Sequence, residues 1–249
     1  MVPAPGRPDL GILPGVEPVA LAAPSTPPGS TGRTGLAVRW GTTARCAPWA
    51  LPLADRVLDS AERARARAFA HEADRATYVV SHVVLRLLLA RRTGTADAGG
   101  LGLRRDACPT CGGPHGRPVL DGGPHVSLSH TAGVFAVALA DVPVGVDVET
   151  PPTAAAVRDV NPSLHPRERA EIDASPADVR SAAFARAWTR KEAYLKALGT
   201  GLSRGLALDD VGAGPAPRSP GPGWHVADLD LPGPCTGAVA WADVDHDAG

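Results

Sequence analysis

Val144-Gly145-Val146-Asp147-Val148-Glu149 is the stretch on which the reading of the fold turns. Valines alternate with small or acidic residues, and in an extended strand successive side chains point to opposite faces. Val144, Val146 and Val148 therefore face a core. Asp147 and Glu149 share the other face, roughly 6.5–7 Å apart along the strand. Two carboxylates on one face repel unless positive charge lies between them. For an isolated Asp-x-Glu the ordinary explanation is a solvated strand face. The functional one is a hard, oxygen-seeking cation such as Mg²⁺.

Beyond this strand, Pro151 to Asn161 lacks large apolar residues and reads as a mobile link. A short helix fits Pro166 to Ile172. A long helix is expected from Ser175-Pro176, with Pro in the first turn, to Gly199, a glycine stop. Strands fit Trp224 to Leu229 and Gly237 to Trp241. Before it, Asp141-Val142-Pro143 reads as a turn, preceded by strands Val126 to Ser129 and Val134 to Leu139. Gly99 to Gly123 is loop-rich. Asp74 to Gly94 reads as a helix that is apolar nearly all round, hence central and buried. A short helix capped by Asp59 or Ser60 runs to Phe69, and Leu36 to Trp40 reads as a first strand.

Residues 1–33 are rich in Pro, Gly, Ala and Ser and are expected to form a disordered tail. The remainder divides into an N-terminal lobe, 34–142, and a C-terminal lobe, 143–249, that carries the acidic strand. The lobes are similar in length and content. That predicts an α+β protein of two similar lobes related by pseudo-twofold symmetry, although no sequence repeat is visible.

Two further constellations bear on chemistry. Phe184 to Gly199 is an amphipathic helix in which Glu192 and Lys196 stand four residues apart on one face. Alone, such a pair is usually a surface ion pair. Trp188, one turn earlier, flanks Glu192 with a large apolar body. A helix that brought Glu192 to Asp147 and Glu149 would complete a three-carboxylate cation site and present Lys196 to a phosphate. Ser129 and His130 end a strand, where side chains and backbone N–H groups can hold an anion; a structural histidine is the plain alternative.

Composition narrows the field. A net charge of −1 over 249 residues disfavours a duplex nucleic-acid binder. No apolar run approaches the roughly 20 residues of a membrane helix, and residues 1–33 show no signal-peptide pattern. Four cysteines in a chain this long do not suggest a disulfide scaffold. A cytoplasmic location is therefore expected. Cys108-Pro109-Thr110-Cys111 is similar to half a zinc knuckle, with His115 as a third ligand, but Cys46 and Cys235 lack partner motifs. Zinc, a redox pair and an ordinary loop all remain open.

Gly116-Arg117-Pro118, Ser127-Leu128-Ser129-His130, the acidic strand, Trp188-Thr189-Arg190-Lys191-Glu192-Ala193-Tyr194-Leu195-Lys196 and Gly199-Thr200-Gly201-Leu202 stand in this order. Together they resemble the 4'-phosphopantetheinyl transferases of the larger, monomeric, surfactin-synthetase-activating class. The likeness covers about residues 34–245. Each motif is weak alone; the ordered set is specific. The resemblance implies two similar α/β lobes with coenzyme A between them, and Mg²⁺ held by Asp147, Glu149 and Glu192. It implies that Arg117 contacts the coenzyme near its adenine or phosphates, that Ser129 and His130 hold phosphate, and that Lys196 holds the pyrophosphate. Arg65, and less closely Arg75, match the basic residues that bind the 3'-phosphate. Glu62 stands where the family often has another basic residue.

The implied reaction moves the phosphopantetheine arm of coenzyme A onto a serine of an apo carrier protein and releases 3',5'-ADP. Lys196 and His130 would stabilise the oxygens that gain charge, and Glu192 would accept the serine proton, directly or through water. Acyl, polyketide and peptidyl carriers all offer such a serine. Carriers are commonly acidic, which makes Arg158 and Arg167 candidate contacts. Two rivals are another divalent-metal enzyme acting on phosphates, such as a nuclease, and a non-catalytic coenzyme A-binding relative. The first predicts a basic groove. The second would be expected to lose one of Asp147, Glu149 and Glu192, and all three are present.

Overall fold

The computed structural model describes residues 13–22, 34–108, 111–113 and 116–244. Strands β1 (Val16–Pro18), β2 (Leu21–Ala22) and β3 (Ala37–Thr42) are followed by helices α1 (Thr43–Ala50), α2 (Ala54–Val57), α3 (Ser60–Arg67) and α4 (Glu72–Thr93). Strands β4 (Leu103–Arg105), β5 (Pro118–Leu120), β6 (His125–Thr131), β7 (Val134–Ala140) and β8 (Val144–Glu149) come next. Helices α5 (Ala154–Val160), α6 (Pro166–Ala174) and α7 (Arg180–Leu198) precede the last strands, β9 (Trp224–Leu229) and β10 (Thr236–Ala242). Sheet order is β1-β3-β7-β6 in one sheet and β2-β9-β10-β8 in the other, with a small β4-β5 hairpin. The expected mixture of helix and sheet is thus present.

Strand alternation builds the cores. Phe135, Val137 and Leu139 of β7 pack with Val80, Val83 and Leu88 of α4. The alternate residues Ala136, Ala138 and Ala140 join Val144, Val146, Val148, Val239 and Trp241 in a second cluster, fed by both sheets. The three valines of the acidic strand are therefore buried, as their alternation predicts. Ala238, Ala240 and Ala242 of β10 meet Ala193, Tyr194 and Ala197 of α7. Burying each valine is worth about 1.5–3 kcal/mol.

Local signals set the helix ends. Asp59 caps α3, and Glu62 returns the bond in a capping box. Helices α4 and α7 stop at Gly94 and Gly199, both left-handed. Glu62 has a second task. It accepts from the Nε of Arg86 at 2.6 Å, and Arg86, wholly buried, also binds Asp59 and the carbonyl oxygens of Ala98, Gly99 and Leu101. A carboxylate at this position is thus tied to the fold of this chain.

Three expectations are corrected. Part of the supposed tail is built into the protein: β1 pairs with β3, β2 pairs with β9, and Leu13 and Val16 are buried. This segment ties the two sheets together through its backbone despite its Pro- and Gly-rich surroundings. Residues 1–12 and 23–33 lie outside the described residues. The link after β8 contains α5, capped by the Thr153 hydroxyl and anchored by buried Val157. Ser175-Pro176 does not open the long helix. Ser175 closes α6, its hydroxyl donating to the Glu171 carbonyl, and α7 begins only at Arg180.

Candidate active site

Gly145 determines how the acidic strand meets helix α7. A Cβ built there would lie 2.0 Å from the Ala193 carbonyl oxygen and 2.5 Å from the Ala197 nitrogen. Only glycine lets the helix backbone come this close. One turn of α7 is thereby pressed against β8, and Glu192 and Lys196, which flank Ala193 and Ala197, reach the carboxylate face of the strand.

Asp147 is the centre of the arrangement. Its Oδ1 accepts from the Ser129 hydroxyl at 2.9 Å and from the Lys196 ammonium at 2.6 Å. Lys196 also lies 3.1 Å from the Ser129 Oγ and 3.3 Å from the Val146 carbonyl oxygen. The Glu192–Lys196 surface pair, the plain alternative for this spacing, is not the one formed; the lysine reaches across to β8. Asp147 Oδ2 is buried and, among the described residues, has no hydrogen-bond partner. An unsatisfied buried carboxylate oxygen is costly, so it marks a place for a ligand.

The neighbouring acids sense this charge. Burial pushes Glu149 above the usual carboxylate range, Asp147 pushes it further, and Lys196 and a Trp188 hydrogen bond pull it back. Glu192 is raised by burial, then by Asp147, with Lys196 opposing and Glu149 adding to the rise. Trp188, one turn before Glu192 on the same helix, binds Glu149 through its indole, and its ring stacks on Phe184 at 6.2 Å. The three acids therefore share one electrostatic environment. Among the described residues, however, no three His, Cys, Asp or Glu side chains form a ready-made metal cage. The unsatisfied Oδ2 and the two glutamates, both raised by burial and by the Asp147 charge, nevertheless fit a hard cation bound through oxygen.

Beside this corner opens a cleft of about 640 Å³, lined by Arg105, Arg117, Glu192, Lys196 and the turn Gly199–Ser203, among others. Arg117 binds Asp106 and donates to the Ala197 carbonyl. Ser129 and Asp147 touch Lys196 but are not part of the cleft wall, nor are Glu149, His130, Arg65 or Arg75. His130 packs near Tyr78 and His82, at 6.4 and 6.5 Å between ring centres. Burial, then the Lys196 charge, lowers its pKa, so it is neutral near pH 7. Arg65 stands over the Phe69 ring at 5.4 Å, and Arg75 pairs with Glu72 at 2.7 Å.

Sequence reasoning missed Arg105, Tyr78 and His82. Arg105 sits on a three-residue strand opposite Pro118, too short to show an alternation. Tyr78 and His82 look like ordinary buried helix positions. Cys108 and Cys111 line the cleft, whereas His115, the suggested third zinc ligand, lies outside the described residues. Among the described residues, no helix is long and apolar enough to cross a membrane.

Residues 143–220, which hold the acidic strand and all of α7, match the model of the 4'-phosphopantetheinyl transferase superfamily. A 4'-phosphopantetheinyl transferase of Bacillus pumilus is 34% identical over 100 residues, covering 37% of this chain and 40% of the relative. A putative 4'-phosphopantetheinyl transferase of Synechocystis is 26% identical over 162 residues, covering 63% of each. A 4'-phosphopantetheinyl transferase of Bacillus subtilis is 26% identical over 153 residues, covering 59% of this chain and 62% of the relative. The chain thus spans less than two thirds of the length of each of these relatives. The superfamily match falls on the very strand and helix that build the site, so over residues 143–220 the chain is similar to the 4'-phosphopantetheinyl transferase superfamily.

Proposed function

We propose that this protein transfers the 4'-phosphopantetheine arm of coenzyme A to a serine hydroxyl of an apo carrier protein and releases 3',5'-ADP. The observation that carries this reading is Asp147. It is buried on the acidic strand, bound on one oxygen by Ser129 and Lys196 and unsatisfied on the other, beside a cleft with basic residues in its wall. Asp147, Glu149 and Glu192 are the residues that would hold Mg²⁺, which when bound supplies charge neutralisation at the pyrophosphate.

The chain's own groups have distinct tasks. Arg117 and Lys196 bind the coenzyme's phosphates from the cleft wall. Ser129 fixes the Asp147 carboxylate and, with His130, completes the anion site. Glu192 lines the cleft with a raised pKa, which suits it to take the proton of the carrier serine as its oxygen attacks the β-phosphorus. The P–O bond to the 3',5'-ADP leaving group then breaks. Of the two arginines assigned to the 3'-phosphate, Arg65 is the stronger: its charge reaches Tyr78, beside His130, while Arg75 is already paired with Glu72.

The same reading takes the fold as two similar lobes, 34–142 and 143–249, related by a pseudo-twofold axis. One long helix and three strands of a four-stranded sheet in each half support it. It takes the protein as a cytoplasmic monomer of the surfactin-synthetase-activating class serving polyketide or nonribosomal peptide carriers. Arg158, exposed on α5, is its preferred carrier contact, since Arg167 is within 3.5 Å of Asp210. Incubating the protein with an apo carrier, coenzyme A and Mg²⁺ should raise the carrier mass by one phosphopantetheine, and only when Mg²⁺ is present. An unmodified panel of acyl, polyketide and peptidyl carriers would refute the proposal.

A further inference from the structure

The cation corner is already partly neutralised by the chain itself. The Lys196 ammonium has three acceptors here: Asp147 Oδ1, Ser129 Oγ and the Val146 carbonyl oxygen. That uses its three protons. The Asp147 side chain is 4% exposed, whereas the Lys196 side chain is 31% exposed and lines the cleft. One partner is thus locked in the interior and the other borders solvent. Lysine does for Asp147 what a bound cation would do, and it also acts on Glu149 and Glu192.

Building on the cation-site reading, we propose that Lys196 is the resident counter-charge of Asp147. It stabilises the cation-free protein and opposes cation binding, so that loading a divalent ion and freeing the ammonium toward the cleft are one exchange. The buried, unpartnered Asp147 Oδ2 lets an ion engage before the lysine leaves. Ser129 remains a donor to Oδ1 in either state. The freed ammonium faces the cleft also lined by Arg117, so cation loading prepares the wall that receives an anionic substrate. A lysine acting only on that substrate would not need to be paired to Asp147 at 2.6 Å.

The test compares wild type with K196M, K196Q and K196R, without coenzyme. Mn²⁺ binding is followed by the EPR signal of the free ion, and melting temperature is measured with and without Mg²⁺. K196M and K196Q should bind Mn²⁺ roughly tenfold more tightly than wild type, because a positive charge a few ångströms from the ion is gone. Their cation-free melting temperatures should fall, and Mg²⁺ should raise them by more than it raises wild type. K196R keeps the charge and should bind like wild type. If K196M does not fold without cation, K196Q, which keeps a neutral donor, carries the comparison. Unchanged or weaker Mn²⁺ affinity in the neutral variants would overturn the inference and leave the cation site standing. No binding in wild type and variants alike would overturn the cation-site reading itself.

Discussion

Replacing Gly145 with alanine tests whether strand and helix meet as described. The added methyl would lie 2.0 Å from the Ala193 oxygen, 2.5 Å from the Ala197 nitrogen and 3.0 Å from the Lys196 Cβ. The two nearest atoms belong to helix backbone and cannot swing aside, so α7 must retreat by about 1 Å to restore ordinary contact. Overpacking usually costs about 1–3 kcal/mol, and the backbone obstacles put Gly145→Ala near the top of that range. At roughly 2–4 °C per kcal/mol for a chain this long, the melting temperature should fall by about 6–12 °C. Glu192 and Lys196 ride on the retreating helix. A displacement of this size can cost about 10²-fold in rate. Melting curves and carrier-modification rates on one preparation measure both effects. Gly102→Ala is the control, since among the described residues nothing lies within 4 Å of a Cβ there. If Gly145→Ala melts within about 2 °C of wild type and transfers normally, the close packing of α7 on β8 is wrong.

Asp147→Ala should lower the transfer rate by roughly 10²–10⁴. Its cation-free melting temperature should also fall, because Lys196 and Ser129 lose their shared acceptor; a rise would mean that repulsion among the acids outweighs the ion pair. Glu192→Gln should melt higher than wild type near neutral pH without cation. The pKa of Glu192 is raised in the folded protein, so its contribution to stability is full below the ordinary glutamate value and is lost as pH rises through the folded value. The advantage of the glutamine should therefore close as pH falls toward about 4.5, and equal melting of the two proteins at neutral pH would contradict the raised pKa. Arg86→Ala leaves the carboxylates of Asp59 and Glu62 without their buried partner and should cost about 3–5 kcal/mol in urea unfolding. A cost under about 1 kcal/mol would show that the network is dispensable.

Much of the fold was legible because its signals are local. The alternation over 144–149, the cap expected at Asp59 or Ser60, and the glycines at 94 and 199 each act within a few residues. The misreadings came from signals that are ambiguous over that range. Ser-Pro suits a helix start, but the Ser175 hydroxyl serves the preceding helix end. A Pro- and Gly-rich stretch suggests disorder, yet β1 and β2 are held by pairing to β3 and β9, which composition does not reveal. At the candidate site, the sequence named three acids whose charges the structure couples, but misjudged the charge balance. Two carboxylates on one strand face read as repelling, and the lysine that answers them lies 49 positions away from Asp147. No spacing rule on one helix indicates that Lys196 prefers Asp147 to its own neighbour Glu192.

That preference follows from packing. Gly145 on the strand, and Ala193 and Ala197 on the helix, are small residues at one contact. They bring the helix axis so near the strand that a lysine beside them reaches Asp147 at 2.6 Å. A larger residue at any of the three positions would separate core and charges together. Stability and chemistry are therefore coupled at this contact, and lost activity in a packing variant says nothing by itself about the role of a charge. Substitutions that keep volume and change only charge, Lys196→Met and Glu192→Gln, separate the two effects. Packing predicts little change for either, whereas electrostatics predicts opposite shifts in cation-free stability, down for the lost lysine and up for the lost glutamate. Shifts of the same sign in both would show that the two residues act through the fold and not through their charge.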